Sequence, residues 1–421
     1  MRKFASFNLR RVSLFLALSL ALVTFLAACG DNTATSVPAT TTAAATTAAA
    51  TTAGAATTAG ATTAGATTAS AATTAGATTA SVVTTASATT AVAATTGAGG
   101  AAKSVACTAP TAAATNGKTY KIAIAVQAPI PALSNAIKGT KEGLATCGFI
   151  EGKNVTYSLG DANGDIPSLK TIGDKFRDEK PDLIVAVGTQ ALVNMYNTNP
   201  NTPIVFNATT NPYVALKDVV KTPTDHGNVT GVQALAPIKE ALEYAKVVAP
   251  NAKNIGLVWT TSEQNSAVNT DIAKQEAPGL GLTIVEAPIS KREEVQQAAQ
   301  SIADKVDVFF STTDVSVVDQ LEALVQVAIA KKKPVISNDP SSGPRGVALA
   351  YGIDYYNNGV SSAKLASRIL NGEAASKVDI EKEKDFGLVV NLEGAQLMGV
   401  KLPDAILSKA SVKYDKITPN K

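Results

Sequence analysis

The sequence is poor in the side chains that most enzymes and metal sites require. Its 421 residues include one histidine, three cysteines and one tryptophan, and only 5% of them are aromatic. A His-rich metal site cannot be built from a single imidazole, and a Ser-His-Asp triad would depend on His226 alone. His226 lies in a sequence typical of a loop, so we expect a structural role for it. We therefore expect no enzyme, no cofactor and no metal site.

An excess of charge of either sign is also absent. The 37 Lys and Arg residues nearly balance the 34 Asp and Glu residues, for a net charge of +3. Four of the bases, Arg2, Lys3, Arg10 and Arg11, precede an apolar run at the N-terminus, and removing them leaves 33 bases against 34 acids. A nucleic-acid-binding protein needs a basic face, so we expect no nucleic-acid partner.

The N-terminus has the pattern of a secretory signal. A basic start is followed by the apolar run from Val12 to Ala28 and by Cys29 at the point of cleavage, which predicts a signal peptide over residues 1–28. Residues 26–29 (Leu-Ala-Ala-Cys) resemble the lipobox of bacterial lipoproteins, in which the cysteine receives a diacylglyceryl group. We expect Cys29 to be lipidated, which anchors the protein outside the cytoplasmic membrane. An ordinary signal peptide with a chance cysteine is the alternative.

A low-complexity segment follows the signal. Between Thr33 and Thr115 nearly every residue is Thr, Ala, Gly, Ser or Val, and Lys103 is the only charged residue. Such a chain buries too little apolar surface to offset its ordering entropy. We predict that residues 29–118 form a disordered stalk, of which the low-complexity part from Thr33 to Thr115 would reach at most about 270 to 300 Å.

From Thr119 onward, short apolar runs rich in β-branched residues alternate with amphipathic helical stretches. This alternation predicts parallel sheets buried on both faces, and about 300 residues favour two α/β lobes joined by a hinge. The first lobe is predicted to contain residues 119–234 and 352–374. The second is predicted to contain residues 235–351 and 375–421. The predicted strands lie at residues 122–126, 183–187, 203–206, 255–259, 306–310 and 334–337.

Small hydroxylic, amide or acidic residues follow the predicted strands. Open parallel sheets bind ligands at the carboxyl ends of their strands, where helix N-termini present backbone N–H groups. Capping of the following helix is the alternative role for each residue. Lys and Arg are absent from these strand ends, and Arg345 is the nearest base. The strand-end segments are Gln127, Gly188 to Gln190, Asn207 to Thr210, Thr260 to Ser262, Ser311 to Asp314, Asn338 and Asp339, and Gly352 to Asp354.

The charges at the strand ends favour a zwitterion over a phosphate. Hydroxyls and helix N-termini suit a carboxylate, and an Asp suits an ammonium group. Asp354 is the predicted ammonium partner, with capping of the next helix as its alternative role. Aromatic residues flank the same ends, which favours an amino acid with an aromatic or large apolar side chain; small sugars come second. These aromatic residues are Phe206, Tyr213, Trp259, Tyr351 and Tyr355.

Several segments, in this order, resemble the extracytoplasmic substrate-binding proteins of ABC transporters, in their tryptophan/tyrosine-type branch. The resemblance covers about residues 120–409. The segments that carry it are 144–155 (LATCGFIEGKNV), 227–232 (GNVTGV), 250–256 (PNAKNIG), 261–266 (TSEQNS), 294–301 (EVQQAAQS) and 351–356 (YGIDYY).

The resemblance implies a periplasmic-binding-protein-like fold of type I, with two lobes joined by three crossings. It further implies a ligand trapped by lobe closure and delivery to ABC permease subunits. Three positions at the cleft edge depart from the family pattern, namely Ser134, Asn211 and the pair Gln233-Ala234. The residues that match the family cleft are Gln127, Thr189, Gln190, Thr209, Thr210, Thr261, Glu263, Asn265, Ser266, Thr313, Asp314, Asp339 and Asp354.

The cysteines other than Cys29 are expected to pair outside the cytoplasm. Cys147 ends the first predicted helix, which returns to the start of the strand beginning at Tyr120, and Cys107 lies shortly upstream of that start. A Cα separation near 5 to 6 Å is therefore within reach. Two free thiols are the alternative.

The function expected from the sequence is that of a monomeric, membrane-anchored solute-binding lipoprotein of an ABC importer. A ligand sensor that presents its bound state to a membrane receptor kinase would use the same fold and cleft. A sugar binder on the same fold is the other open alternative.

Overall fold

Two α/β lobes make up the described part of the chain. The computed structural model describes Cys107 and residues 117 to 420, so the predicted signal peptide, Cys29 and nearly all of the predicted stalk lie outside the described residues. Within the described part, no helix combines the length and the hydropathy needed to cross a membrane.

Strands and helices alternate along the chain, as the sequence predicts. The strands are β1 (Tyr120–Val126), β2 (Val155–Asp161), β3 (Leu183–Val187), β4 (Ile204–Thr209), β5 (Val229–Gln233), β6 (Asn254–Thr260), β7 (Thr283–Ile289), β8 (Val308–Ser311), β9 (Val335–Ser337), β10 (Leu349–Ile353), β11 (Glu381–Lys382), β12 (Phe386–Asn391) and β13 (Val412–Tyr414). The helices are α1 (Pro131–Thr146), α2 (Ser168–Glu179), α3 (Thr189–Thr198), α4 (Pro212–Ala215), α5 (Ile238–Val248), α6 (Gln264–Glu276), α7 (Val295–Ile302), α8 (Val315–Asp319), α9 (Leu321–Lys331), α10 (Tyr355–Leu370), α11 (Leu392–Leu397) and α12 (Asp404–Lys409).

The two sheets share one strand order. Lobe 1 has the order β11-β5-β4-β3-β1-β2 with all strands parallel. Lobe 2 has the order β13-β12-β10-β9-β8-β6-β7, in which only the β10–β12 pair is antiparallel. Each lobe therefore contains the doubly wound order 2-1-3-4-5, whose switch point lies between its first and third strands. The predicted fold class is confirmed.

The strands of lobe 1 are buried on both faces of their sheet. Ile122, Ile124 and Val126 of β1 belong to one apolar cluster, whereas Ala123 and Ala125 belong to the cluster on the opposite face. Because successive side chains of a strand point to opposite faces, one apolar strand supplies both clusters. A further cluster forms the core of lobe 2.

Helices α1 and α10 pack closely on one face of the lobe 1 sheet. A Cβ atom at Gly139 of α1 would lie 2.0 Å from the carbonyl oxygen of Tyr356, and one at Gly359 of α10 would lie 2.1 Å from that of Ala136. The missing side chains let the two backbones approach. This contact fixes the start of α10, and with it one edge of the interlobe cleft.

Three crossings join the lobes, at residues 234–237, at Asp354 and at residues 383–385. The predicted boundary after residue 374 is corrected by this topology. Residues 375–382 belong to lobe 1, because Glu381 pairs with Val232 and Val378 is buried in the lobe 1 core. The two-residue strand β11 that holds this segment has no recognisable sequence pattern. The second crossing also falls two residues later than predicted, since Gly352 and Ile353 pair with β12.

A disulfide joins Cys107 to Cys147 at the end of α1, with a Cα separation of 5.0 Å. This is the pair that the sequence predicts. The bond attaches the chain upstream of β1 to lobe 1 at the end of that lobe's first helix.

Candidate functional site

A small cavity lies between the lobes, where the strands of both sheets end. Lobe 1 lines it with residues that follow β1, β3 and β4, and lobe 2 lines it with residues that follow β6, β8 and β9. Its volume is about 20 Å³, which is room for about one water but not for a larger molecule. The lobes are therefore closed on one another in this structure.

The polar part of the cavity wall consists of residues that the sequence predicts. Lobe 1 contributes Thr189, the first residue of α3, and Thr210, which follows β4; the backbone N of Thr210 donates to Thr189 Oγ1 at 3.3 Å. Lobe 2 contributes Asn265, Thr313 and Asp339. Five of the residues predicted from their positions at the carboxyl ends of strands therefore lie together around this cavity.

Most of the apolar part of the wall was not predicted from the sequence. Within it, Ile130 and Leu133 of lobe 1 pack in one cluster with Val315 and Val318 of lobe 2. Ile130 and Leu133 lie in the β1–α1 connection and in α1, and the two valines lie in α8. Ala132 also lines the cavity without having been predicted. Gly188 and Ala208 lie in the predicted strand-end segments, and Tyr355 is one of the aromatic residues expected to flank them.

Asp339 supplies the only carboxylate among the residues that line the cavity. It is buried, and its carboxylate accepts from the backbone N of Ser341 at 2.9 Å and from the hydroxyls of Ser341 and Ser342. Burial raises the pKa of Asp339 and outweighs these donors and the charge of Arg345. The Arg345 guanidinium itself is paired with Glu322 at 2.6 Å.

Three other predicted residues lie behind the wall of lobe 2 and join its elements. Asp314 Oδ2 accepts from the backbone N of Thr260 at 2.6 Å and from Ser266 Oγ at 2.5 Å, and Oδ1 accepts from Thr260 Oγ1 and from the backbone N of Val317. Asp314 is thus the N-cap of α8. Glu263 binds the start of the same helix through the backbone N atoms of Val315 and Ser316.

The two carboxylates behind this wall are buried without a base among their hydrogen-bond partners in the described part of the chain. Burial, reinforced by the charge of Asp314, raises the pKa of Glu263 to about 7. Burial also raises the pKa of Asp314, against the hydrogen bonds that favour its charged form. Lobe 2 therefore surrounds its side of the cavity with acids.

The remaining predicted residues do not line the cavity. Asp354 caps α10: its Oδ1 accepts from the backbone N of Asn357 at 3.1 Å and its Oδ2 from Asn357 Nδ2 at 3.0 Å. Thr261 is exposed and donates to the Ile289 carbonyl, and Thr209 is buried and donates to the Asn207 carbonyl. For Asp354 the structure shows the capping role that the sequence left as the alternative.

Two predicted glutamines lie beside the cleft. Gln127 is buried after β1, and its Oε1 has no hydrogen-bond partner among the described residues. Gln190 Nε2 donates to the Ser262 carbonyl of the opposite lobe at 3.4 Å. It therefore joins the lobes in the closed arrangement instead of lining the cavity.

Other side chains also connect the lobes. Arg292 of lobe 2 donates to the Asn163 carbonyl of lobe 1 at 3.4 Å, and Asp319 holds the same Nη1 atom at 3.1 Å. Gln264 Nε2 donates to the Val214 carbonyl at 3.5 Å. These long hydrogen bonds at the cleft edge are weak contacts that separation of the lobes would break.

The chemistry of the wall suits a small polar ligand better than a metal or a phosphate. No Lys or Arg is among the lining residues. The part of the chain from 117 to 420, with Cys107, contains no group of His, Cys, Asp and Glu residues that could hold a metal ion. Several polar atoms near the strand ends are buried without a partner in the part of the protein that the structure describes, which is unusual unless a ligand or water satisfies them. They include Asn265 Oδ1, Ser311 Oγ, Thr312 Oγ1 and both side-chain polar atoms of Asn338.

Known proteins share both the sequence and the fold. A "Tyrosine-binding protein" of Clostridioides difficile (strain R20291) is 30% identical over 309 residues, which cover 73% of this chain and 88% of that protein. The crystal structure of an ABC domain in complex with L-Trp, from Streptococcus pneumoniae, is 25% identical with a TM-score of 0.67 and covers 70% of this chain and 100% of its own.

A second crystal structure bears on the conformation. The ligand-free, open structure of a substrate-binding protein with adhesive properties from Clostridium difficile is 31% identical, covers 71% of this chain and 100% of its own, and has a TM-score of 0.56. The open structure is more similar to this chain in sequence than the L-Trp complex is, but it is less similar in structure. A lower structural similarity to an open protein agrees with the closed lobes described above.

The family match spans both lobes. Residues 121 to 413 match the family described as "ABC transporter substrate binding protein", which includes every residue that lines the cavity. The chain therefore belongs to the ABC transporter substrate-binding protein family.

Proposed function

We propose that this protein captures a free amino acid with an aromatic or large apolar side chain between its lobes and delivers it to an ABC importer. The observation that carries the proposal is the wall of the closed cleft, which combines a buried Asp339 with hydroxyl and amide groups but contains no Lys or Arg. Relatives described as binding tyrosine and L-Trp support the same ligand class.

Asp339, instead of Asp354, is the proposed partner of the ligand's ammonium group. Both side chains follow strands of lobe 2 and both cap the next segment, yet only Asp339 lines the cavity. A buried carboxylate gains most from a cationic partner, because a charge-assisted hydrogen bond out of water is worth roughly 1.5 to 3 kcal/mol.

The ligand's carboxylate is assigned to lobe 1. Thr189 is the first residue of α3, a helix of ten residues, and Thr210 lies beside it. A helix N-terminus presents free backbone N–H groups and a partial positive charge, so it binds a carboxylate without a Lys or Arg. The apolar residues Ile130, Leu133, Val315 and Val318 are left to enclose the ligand's side chain.

Binding requires the lobes to move apart. A cavity of about 20 Å³ is far below the roughly 300 to 1,000 Å³ of a small-molecule site. The three crossings are short, and the weak contacts of Gln190, Gln264 and Arg292 are the cleft-edge bonds that opening breaks. We propose a hinge motion that admits the ligand and then closes.

The decisive experiment is calorimetric titration of the purified mature protein with L-tyrosine, L-tryptophan, L-phenylalanine and L-leucine. Galactose is titrated in parallel to test the alternative of a sugar ligand. We expect at least one amino acid to bind and galactose to give no heat. Native mass spectrometry of the same preparation identifies any ligand retained from the cell. Binding of a sugar or a phosphorylated compound, with no amino acid binding, would overturn the proposal.

The anchor and the transport role need separate tests. We propose that Cys29 is lipidated and holds the protein outside the membrane; a Cys29→Ala variant should then lack an acylated N-terminus in intact-mass spectra, and an unlipidated wild type would contradict the anchor. Cells without the protein should lose uptake of the labelled amino acid. Unchanged uptake with a lost transcriptional response would favour the sensor instead.

A further inference from the structure

Glu263 was predicted to touch the ligand, but it lies behind the cavity wall. Its Oε1 accepts from the backbone N of Ser316 at 2.9 Å and from Ser316 Oγ at 2.6 Å. Its Oε2 accepts from the backbone N of Val315 at 3.0 Å and from Asn265 Nδ2 at 3.2 Å. All four donors belong to residues of lobe 2 that line the cavity or adjoin those that do.

The contact with Asn265 fixes the orientation of an amide in the cavity wall. Asn265 Nδ2 donates to Glu263 Oε2 and also to the backbone carbonyl of Thr313 at 3.0 Å. A carbonyl and an ionised carboxylate only accept hydrogen bonds, so the nitrogen end of the amide must face them. Asn265 Oδ1 is left as a buried acceptor with no partner from residues 117 to 420 or Cys107, on a residue that lines the cavity.

We propose that Glu263 is a positioning residue, whose carboxylate holds the Asn265 amide so that Oδ1 accepts a hydrogen bond from the ammonium group of the bound amino acid. This inference rests on the proposed function. An ammonium group has three donors, so it can bind Asp339 and Asn265 Oδ1 at once. A ligand without the ammonium group leaves Asn265 Oδ1 without a donor and the buried Asp339 without a cationic partner.

The same arrangement couples ligand binding to a proton. Burial and the charge of Asp314 raise the pKa of Glu263 to about 7. At neutral pH, a fraction of the protein molecules therefore carries a proton on this carboxylate. Ser316 Oγ can accept that proton's hydrogen bond as well as donate one, so the neutral acid fits the same geometry. The ammonium group of the bound ligand favours the ionised carboxylate, and binding near pH 7 therefore releases protons.

Other titratable groups lie around this wall, and those that change protonation on binding would add to the measured proton release. Asp314 shares the burial of Glu263, and Asp339 has a raised pKa of its own. Tyr355 is buried beside Asp339, and its pKa is raised, so it stays neutral. Arg345 is neutralised by Glu322. Only a variant of Glu263 separates its proton from those of the neighbouring acids.

The test is calorimetric titration with L-tyrosine and with L-tryptophan between pH 6 and 8.5, in two buffers with different ionisation enthalpies. We expect the wild type to release a fraction of a proton near pH 7 and its affinity to rise with pH, by at most about tenfold per unit. Glu263→Gln should lower the affinity at pH 8 by about tenfold or more and should remove most of this pH dependence.

Two further variants keep the test independent of folding defects. Ser316→Ala removes one donor to the charged Glu263, so proton release should move to higher pH while affinity at pH 8.5 is kept. Glu286→Gln, which alters a half-buried carboxylate paired with Lys274 outside the cavity lining, should change neither quantity. Thermal unfolding and near-UV circular dichroism report whether each variant is folded.

The outcomes separate this inference from the proposed function. Absence of binding by either amino acid would contradict the proposed function and this inference together. Binding without proton release, or proton release that persists in Glu263→Gln, would contradict the role of Glu263 alone. An unchanged pH midpoint in Ser316→Ala would do the same if Glu263→Gln fails to fold.

Discussion

The two walls of the cavity differ in charge although the two sheets behind them share one strand order. The lobe 1 wall contains Thr189 at the start of α3 and Thr210 beside it, and no acid or base. The lobe 2 wall contains Asp339, with Glu263 and Asp314 buried behind it. The common topology places strand ends and helix N-termini at the cleft in both lobes. In the proposed function, the side chains that follow the strands decide which end of a zwitterion each lobe binds.

The largest expected effect comes from removing the charge of the lobe 2 wall. Asp339→Asn keeps the capping oxygen but loses the buried charge, so the affinity for an amino acid should fall by about 10- to 150-fold. Calorimetric titration measures this change.

Asp354→Asn is the matched control for that substitution. It makes the same chemical change at another capping residue that follows a lobe 2 strand, but outside the cavity lining. We expect its affinity to stay within about threefold of the wild type. A larger loss in Asp354→Asn than in Asp339→Asn would restore the assignment made from the sequence.

Buried acids without a basic partner also make the stability of lobe 2 depend on pH. The pKa of Glu263 is raised from 4.5 to about 7 on folding, so its contribution is full below about pH 4.5 and is lost as pH rises to 7. Because the contribution of Glu263 to stability is lost over this range, we expect the free energy of unfolding to fall by about 1 to 3 kcal/mol between pH 5 and 7.5.

Urea unfolding at several pH values measures this loss. The surface acids Asp174 and Glu293 have lowered pKa values and therefore lose stabilisation only at lower pH. Glu263→Gln should flatten the dependence between pH 5 and 7.5. A variant with the slope of the wild type would show that other groups cause it.

A smaller effect is expected on the uncharged wall of lobe 1. Thr189→Val removes a hydroxyl from the cavity and leaves the Thr210 backbone N without its partner, so the affinity should fall by about 3- to 10-fold. The loss should be greater for L-tyrosine than for tyramine, which lacks the carboxylate. Thr261→Val, at an exposed site outside the lining, should have no effect. Equal losses of affinity for L-tyrosine and tyramine would show that the ligand's carboxylate does not bind to lobe 1.

The smallest effect is expected at the edge where the lobes meet. Arg292→Ala breaks the bond to the Asn163 carbonyl, an exposed contact worth at most about 1 kcal/mol. Dissociation of the ligand should become about 2- to 5-fold faster in stopped-flow measurements, with little change in association. Arg177→Ala removes a comparable exposed ion pair within lobe 1 and should leave both rates unchanged.

Most of the fold could be predicted because its central strands are buried on both faces. β3 (residues 183–187) is an uninterrupted apolar run, and such runs between helices are typical of parallel sheets. The boundary near residue 375 could not be predicted in the same way. Strand β11 has two exposed, charged residues, and backbone pairing with β5 places it, not the burial of its side chains.

The candidate site was predicted in part, because capping and ligand binding use the same residue types. Thr189 and Asp339 follow strands and line the cavity, whereas Asp314 and Asp354 follow strands and cap helices. The sequence does not show which of these side chains already has all its donors within the protein. Val315 could not be predicted in this way either, because the prediction selected polar residues after strands, whereas Val315 is an apolar residue of α8.

The most direct test of the division between the lobes is a crystal structure of the protein with a bound amino acid that the titrations identify. The ligand's ammonium nitrogen should lie within hydrogen-bonding distance of the Asp339 carboxylate and of Asn265 Oδ1. Its carboxylate should lie against Thr189 and the N-terminus of α3. A ligand bound in the reverse orientation, with its carboxylate on lobe 2, would contradict the assignment of charge to the two lobes.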